Sequence, residues 1–174
     1  MEKEIKEILL RYFIGVVVAI IALFVPLFYF IFRPLTVWPT FLILDIFYDV
    51  SLNALDNIVV EGFTIEFIDA CIAGSAYFLL FLLNVLTFGI GLKKRFFIFI
   101  FNAALLLIMN ILRLVILIVL VVNGSAIFDV THKVFWYGIS TGYVALIWIL
   151  TVVVFKIKAI PFISDIRLIL SKKR

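Results

Sequence analysis

Residues 96–122 read FFIFIFNAALLLIMNILRLVILIVLVV, and this run decides the fold. It carries a single charge, Arg113, and two asparagines, Asn102 and Asn110. As a helix it extends roughly 40 Å at about 1.5 Å per residue, enough to cross a hydrocarbon core of about 30 Å. Three more runs of similar character lie at about 12–32, 71–92 and 134–155. Together they predict an all-α integral membrane protein of about four transmembrane helices, a single polytopic domain over residues 1–174. Composition agrees, with 67% hydrophobic and 15% charged residues. A soluble domain of this size cannot hide so much apolar surface, whereas lipid removes the need to hide it.

The first run is longer than a signal-peptide core and no small-x-small site follows it, so it reads as a retained span. Pro26 inside it predicts a kink. Residues 34–70 form an outer segment of two parts. Residues 35–52 are apolar but include Asp45 and Asp49, four apart and hence on one helical face. That pattern predicts an interfacial amphipathic helix, because a full span there would bury two carboxylates at a cost of several kcal/mol. Residues 58–67 place β-branched and aromatic residues around Glu61-Gly62 and predict a short extracytoplasmic β-hairpin.

Basic residues give the orientation. Lys3, Lys6 and Arg11 precede the first run, Lys93-Lys94-Arg95 follow the second, and the tail 156–174 holds six more. Four spans with both termini in the cytoplasm put all of these on the inner face. The tail, 159–174, reads as a basic amphipathic segment on the inner leaflet. The outer segments keep Arg33 and Lys133 and most of the acids. The net charge of +4 is therefore a topology signal, and nucleic acid is dropped as a partner.

The chain has one cysteine, Cys71, and one histidine, His132, so an internal disulfide, a cysteine zinc cluster and a two-histidine metal site are all excluded. Cys71 opens the second run at the outer face, and His132 precedes the fourth. Arg113 lies roughly 25 Å along the third run from its inner end. All three therefore share one slice of the membrane. A nucleophilic thiol needs a nearby cation, a proton acceptor and donors for an oxyanion. Arg113 and His132 beside Cys71 supply all three. No metal or cofactor is implied.

Around this trio, Asn110 and Asn102 share a polar stripe with Arg113 and either orient its guanidinium or join helices. Gly74 and Ser75 offer a small-residue face to a neighbouring or substrate helix. Asp69 and Asp129 are both candidates to hydrogen-bond His132, with solvated outer-loop acids as the plainer reading. Each residue also has a plainer reading. Cys71 is then inert packing, His132 an interfacial or capping residue, and Arg113 a snorkelling cation.

The ordered pattern Ala70-Cys71-Ile72-Ala73-Gly74-Ser75-Ala76-Tyr77, then Asn110-Ile111-Leu112-Arg113, then Thr131-His132 resembles the exosortase/archaeosortase family, and in its small size the pacearchaeosortase branch. The resemblance covers about 67–155. It implies that Cys71, Arg113 and His132 are the family's cysteine, arginine and histidine. It further implies a transpeptidase acting on surface proteins that end in a short motif, a transmembrane helix and a basic cluster. Two departures stand out. Many members have glycine two residues after the cysteine, whereas Gly74 comes three after, and larger members have more spans.

The expected function is a membrane-embedded cysteine transpeptidase or protease at the extracytoplasmic face. It would transfer a cleaved surface protein to a lipid-linked amine or to water. Two other classes stay open: a non-catalytic membrane assembly or anchor protein, and a small transporter subunit with Arg113 and the asparagines lining a polar path.

Overall fold

The computed structural model describes residues 2–24, 27–53, 57–87 and 89–157. Among them the chain is mostly helical, with one small antiparallel sheet. The expected kink at Pro26 and the basic segment 159–174 lie outside the described residues.

Helix α5, Leu92–Val122, is the element on which α2, α3, α4 and α7 pack. Every fourth residue along it, Ile98, Asn102, Leu106, Asn110, Leu114 and Ile118, is buried. Such a row slants about 26° across the helix axis, so its neighbours meet α5 at an angle and at different heights. Its remaining surface is apolar and exposed, as at Ile100, Ile108, Leu112 and Ile116. Helices α2, Leu27–Leu44, and α5 are long and apolar enough to cross a membrane. Helix α4, Gly74–Leu86, and residues Gly142–Val154 of α7 are equally apolar but shorter.

The expected first span is helical on both sides of residues 25–26. Helix α1, Glu2–Phe24, is followed by α2, which continues past Arg33 to Leu44. Pro34 and Pro39 are both inside α2. Each removes the backbone donor that the carbonyl four residues earlier would accept; the buried Thr40 hydroxyl separately donates to the Thr36 carbonyl at 2.7 Å. The ring of Phe32 stacks on Tyr77 of α4, with centroids 3.5 Å apart.

The expected amphipathic helix over 35–52 is not formed. Helix α2 ends at Leu44, Asp45 falls in the turn that follows, and Asp49 leads into strand β1, Val50–Asn53. Strand pairing outweighs the helical spacing of the two aspartates. Val50 through Asn53 register antiparallel against Val60 through Asn57 of β2, Asn57–Val60. The Glu61 carboxylate further accepts the Asp49 N–H.

The expected hairpin is present as β2 and β3, Phe63–Ile65. Glu61 and Gly62 both have positive φ, 49° and 83°, the backbone of a tight turn that matches strand twist. Ile58 and Val60 point inward and are fully buried, fastening the sheet to the helical core.

The expected second span is broken. Helix α3, Asp69–Ile72, stops at Ala73, which adopts a left-handed conformation (φ 58°, ψ 33°), and α4 then runs only to Leu86. Glycine would fit position 73 better, yet the glycine is at 74. A Cβ at Gly74 would stand 2.8 Å from the Tyr29 ring of α2. Close approach is what requires glycine here. Gly74→Ala is therefore expected to destabilise the fold by about 1–3 kcal/mol through overpacking. Ala73→Gly should stabilise it by about 1 kcal/mol by relieving the left-handed backbone. Thermal unfolding in detergent checks both, and equal effects of one sign would refute the assignment.

At its far end α4 is capped by Arg95. The guanidinium donates to the carbonyls of Asn84, Val85, Thr87 and Ile90. A cation at a helix C-terminus is the favourable sign. The fourth expected span is helical throughout and begins earlier than its apolar run. Helix α6, Phe128–Lys133, passes through a π-helical turn, Val134–Ile139, into α7, Ser140–Val154. The Ser140 hydroxyl donates to the Phe135 carbonyl, five residues back, at 2.6 Å.

Candidate active site

The break at Ala73 leaves the carbonyls ahead of it without the amides a continuous helix would provide. Helix α5 supplies the replacements. Asn110 Nδ2 donates to the Cys71 carbonyl at 2.7 Å, and Arg113 Nη2 donates to the Ala70 carbonyl at 3.2 Å. One turn of helix separates Asn110 from Arg113, so both reach the same short segment. Arg113 Nη1 also donates to Ser140 Oγ at 3.1 Å, tying α3, α5 and α7 at one point. Its Nε is buried and, among the described residues, unpartnered.

Cys71, Arg113 and His132 line one cavity of about 430 Å³, closed on other sides by Leu117, Lys133 and Phe135. Arg113 also borders a second, larger cavity of about 930 Å³ between α4 and α7, where Ser75, Leu79, Val144 and Trp148 form much of the wall. Ala70, Arg113 and Trp136 belong to both. The thiol of Cys71 is partly buried. Burial pushes the Cys71 thiol above its ordinary range, and the charge of Arg113, the backbone contact with Ile68 and, least, the charge of Arg33 offset only part of that rise.

The three residues singled out by depth thus share a cavity, though not a hydrogen-bond chain. Among the described residues none joins His132 to Cys71. The imidazole is exposed, stacks on Phe128 (centroids 5.6 Å, interplanar 8°) and meets Trp136 edge-on at 6.1 Å.

The supporting residues sort differently from expectation. Asn110 holds the backbone of Cys71 instead of orienting Arg113. Asn102 lies two turns away, where Thr151 donates to its side-chain oxygen, and it joins α5 to α7. Asp69 does not reach His132. Its carboxylate pairs with Arg33 at 2.9 Å, and an Arg–carboxylate contact is the stronger partner. Gly74 admits Tyr29 from within the fold, and Ser75 faces the larger cavity.

Sequence reasoning missed Arg33 and Ser140. Arg33 was an outer-side cation thirty-six residues from Asp69, a spacing with no local signature. Ser140 was one hydroxyl in an apolar run, and its role depends on the π-helical turn. Comparison with protein-family models, with curated proteins and with solved structures gives no match.

Proposed function

We propose that this chain is a membrane-embedded thiol transpeptidase or protease of the exosortase/archaeosortase kind, acting at the extracytoplasmic face with both termini in the cytoplasm. Four spans cross the bilayer, beginning with the helices before and after Pro26, then α4, α5 and α7. The observation that carries the reading is the single cavity bordered by the only cysteine, the only histidine and Arg113, the one charge in the run 96–122. An intramembrane arginine is costly and is functional by default.

In this mechanism a client's extended peptide reaches the cavity, and its apolar C-terminal helix lies in the groove between α4 and α7. The edge strand β3 offers main-chain donors and acceptors to the peptide by strand addition. Cys71 Sγ attacks the scissile carbonyl carbon while its proton passes to His132. The carbonyl π bond opens to an oxyanion, which accepts hydrogen bonds from Arg113, whose Nε–H has no hydrogen-bond partner among the described residues. Collapse of the oxyanion breaks the C–N bond. His132 returns the proton to the leaving amine, and a thioester remains on Cys71. A lipid-linked amine or water then attacks the thioester, releasing an amide or an acid and restoring the thiol.

The test is to trap the intermediate. A client with a C-terminal helix and basic tail is co-expressed with this chain, and the membranes are analysed by mass spectrometry. A client acyl group on Cys71, released by hydroxylamine, is the expected result. Client tail loss with no acyl group on Cys71 under fast quenching would sink the thiol mechanism. The bonds from Arg113 to Ala70 and Ser140 favour a second, structural reading, in which the arginine only ties helices in an assembly or anchor protein. That reading expects neither adduct nor tail loss.

A further inference from the structure

The backbone around Cys71 can be accounted for carbonyl by carbonyl. The Ile68 carbonyl accepts the Cys71 N–H at 2.8 Å, and the Asp69 carbonyl accepts the Ala73 N–H at 3.2 Å. Arg113 serves Ala70 and Asn110 serves Cys71, both from α5. The carbonyl ahead of these, that of Phe67, accepts from Arg33 Nη1 of α2 at 2.8 Å. The second arm of the same guanidinium, Nη2, holds the Asp69 carboxylate at 2.9 Å. One fork thus grips both ends of the three-residue stretch Phe67–Asp69, which ends two residues before Cys71. Its charge also favours the thiolate, though less than that of Arg113.

We infer that the Arg33–Asp69 pair is a positioning device for Cys71: Arg33 fixes the turn that carries the thiol and lends it positive charge, and Asp69 limits how much of that charge is felt. The other charged or titratable groups facing the thiol's cavity are Arg113, His132 and Lys133, and they stay constant in the test below. The inference rests on reading Cys71 as a nucleophile. Its readout, however, is thiol reactivity, which needs no client.

Cys71 is the only thiol in the chain, so maleimide labelling reports it without background. Rates with N-ethylmaleimide are measured near neutral pH on the full chain in detergent. The thiolate is the reacting form, and its intrinsic nucleophilicity partly offsets a change in its population. Arg33→Gln is expected to slow labelling about threefold to tenfold. Arg33→Lys, which keeps the charge, should recover most of the rate. Asp69→Asn should speed labelling about twofold to threefold, and Asp69→Glu should leave it near wild type.

The opposite signs are the signature, since loss of a merely structural contact moves both neutral variants in one direction. Unfolding exposes the thiol and speeds labelling, so it cannot imitate the slowing in Arg33→Gln. Equal slowing by Arg33→Gln and Asp69→Asn, or equal rates in Arg33→Gln and Arg33→Lys, overturns the inference. If Asp69→Asn does not fold, the two Arg33 variants decide alone. Failure of the acyl trap with these labelling shifts present would count against the proposed activity and not against the pair.

Discussion

Cys71→Ala is expected to abolish tail loss from a client surface protein while leaving the fold intact. The two expectations have separate physical grounds. The sulfur is the only thiol in the chain, and neither a methyl group nor a neighbouring side chain can form the thioester in its place. The hydrogen bonds at position 71, from its N–H to Ile68 and from Asn110 to its carbonyl, are both made by the backbone and survive in alanine. Unfolding temperature in detergent should therefore change little. Cys71→Ser keeps the shape almost unchanged but substitutes a hydroxyl of much weaker nucleophilicity, and it should be equally inactive. The measurement is blotting of the client's C-terminal tail after co-expression with each variant. Tail loss that continues at the wild-type level in a well-folded Cys71→Ala chain would remove the thiol from the mechanism.

The second large effect is expected at Arg113. Arg113→Gln should lower the processing rate about 10²–10³-fold, the range found when one oxyanion donor is lost. Unlike the cysteine variants, it should also cost stability, because the Ala70 carbonyl and Ser140 Oγ lose their donor. Leaving a buried acceptor unpaired costs about 1–3 kcal/mol. Arg113→Lys keeps the charge but replaces a planar fork with a single ammonium, which cannot span Ala70 and Ser140 in the same geometry. It is expected to recover part of the stability and little of the rate. Plotting processing rate against unfolding temperature for the two variants separates the roles. If activity merely follows stability, Arg113 is a structural tie and the second reading gains.

Much of the helical architecture could be read along the chain, but unevenly. Helix α5 was plain because a long apolar run with one charge has few alternatives. The β2–β3 hairpin was equally plain, since β-branched residues flank a Glu-Gly pair and its turn is local. Residues 35–52 misled because Asp45 and Asp49 have helical spacing. The partner that makes Val50–Asn53 a strand comes only after the chain turns back. Helix α2 passed through Pro34 and Pro39, where local propensity argues for a stop, because its buried face, Phe32, Thr36, Val37, Thr40 and Leu44, packs against α4 and α5.

The site divides along the same line. By itself the sequence pointed to Cys71, Arg113 and His132 as a group, because helical rise per residue is nearly constant and the basic residues suggest one orientation for the runs that carry them. It also determined that Cys71 would be the only thiol and Arg113 the only charge in its run. Tertiary structure alone decided which way those side chains turn. Rotation about a helix axis depends on what packs against each face, and breaks depend on donors from elsewhere. The turn at Ala73 persists because Asn110 and Arg113 supply its missing hydrogen bonds, and Arg33 meets Asp69 because α2 lies alongside it. Neither contact is encoded by any spacing along the chain, since each joins residues that only folding brings within 3.5 Å of one another.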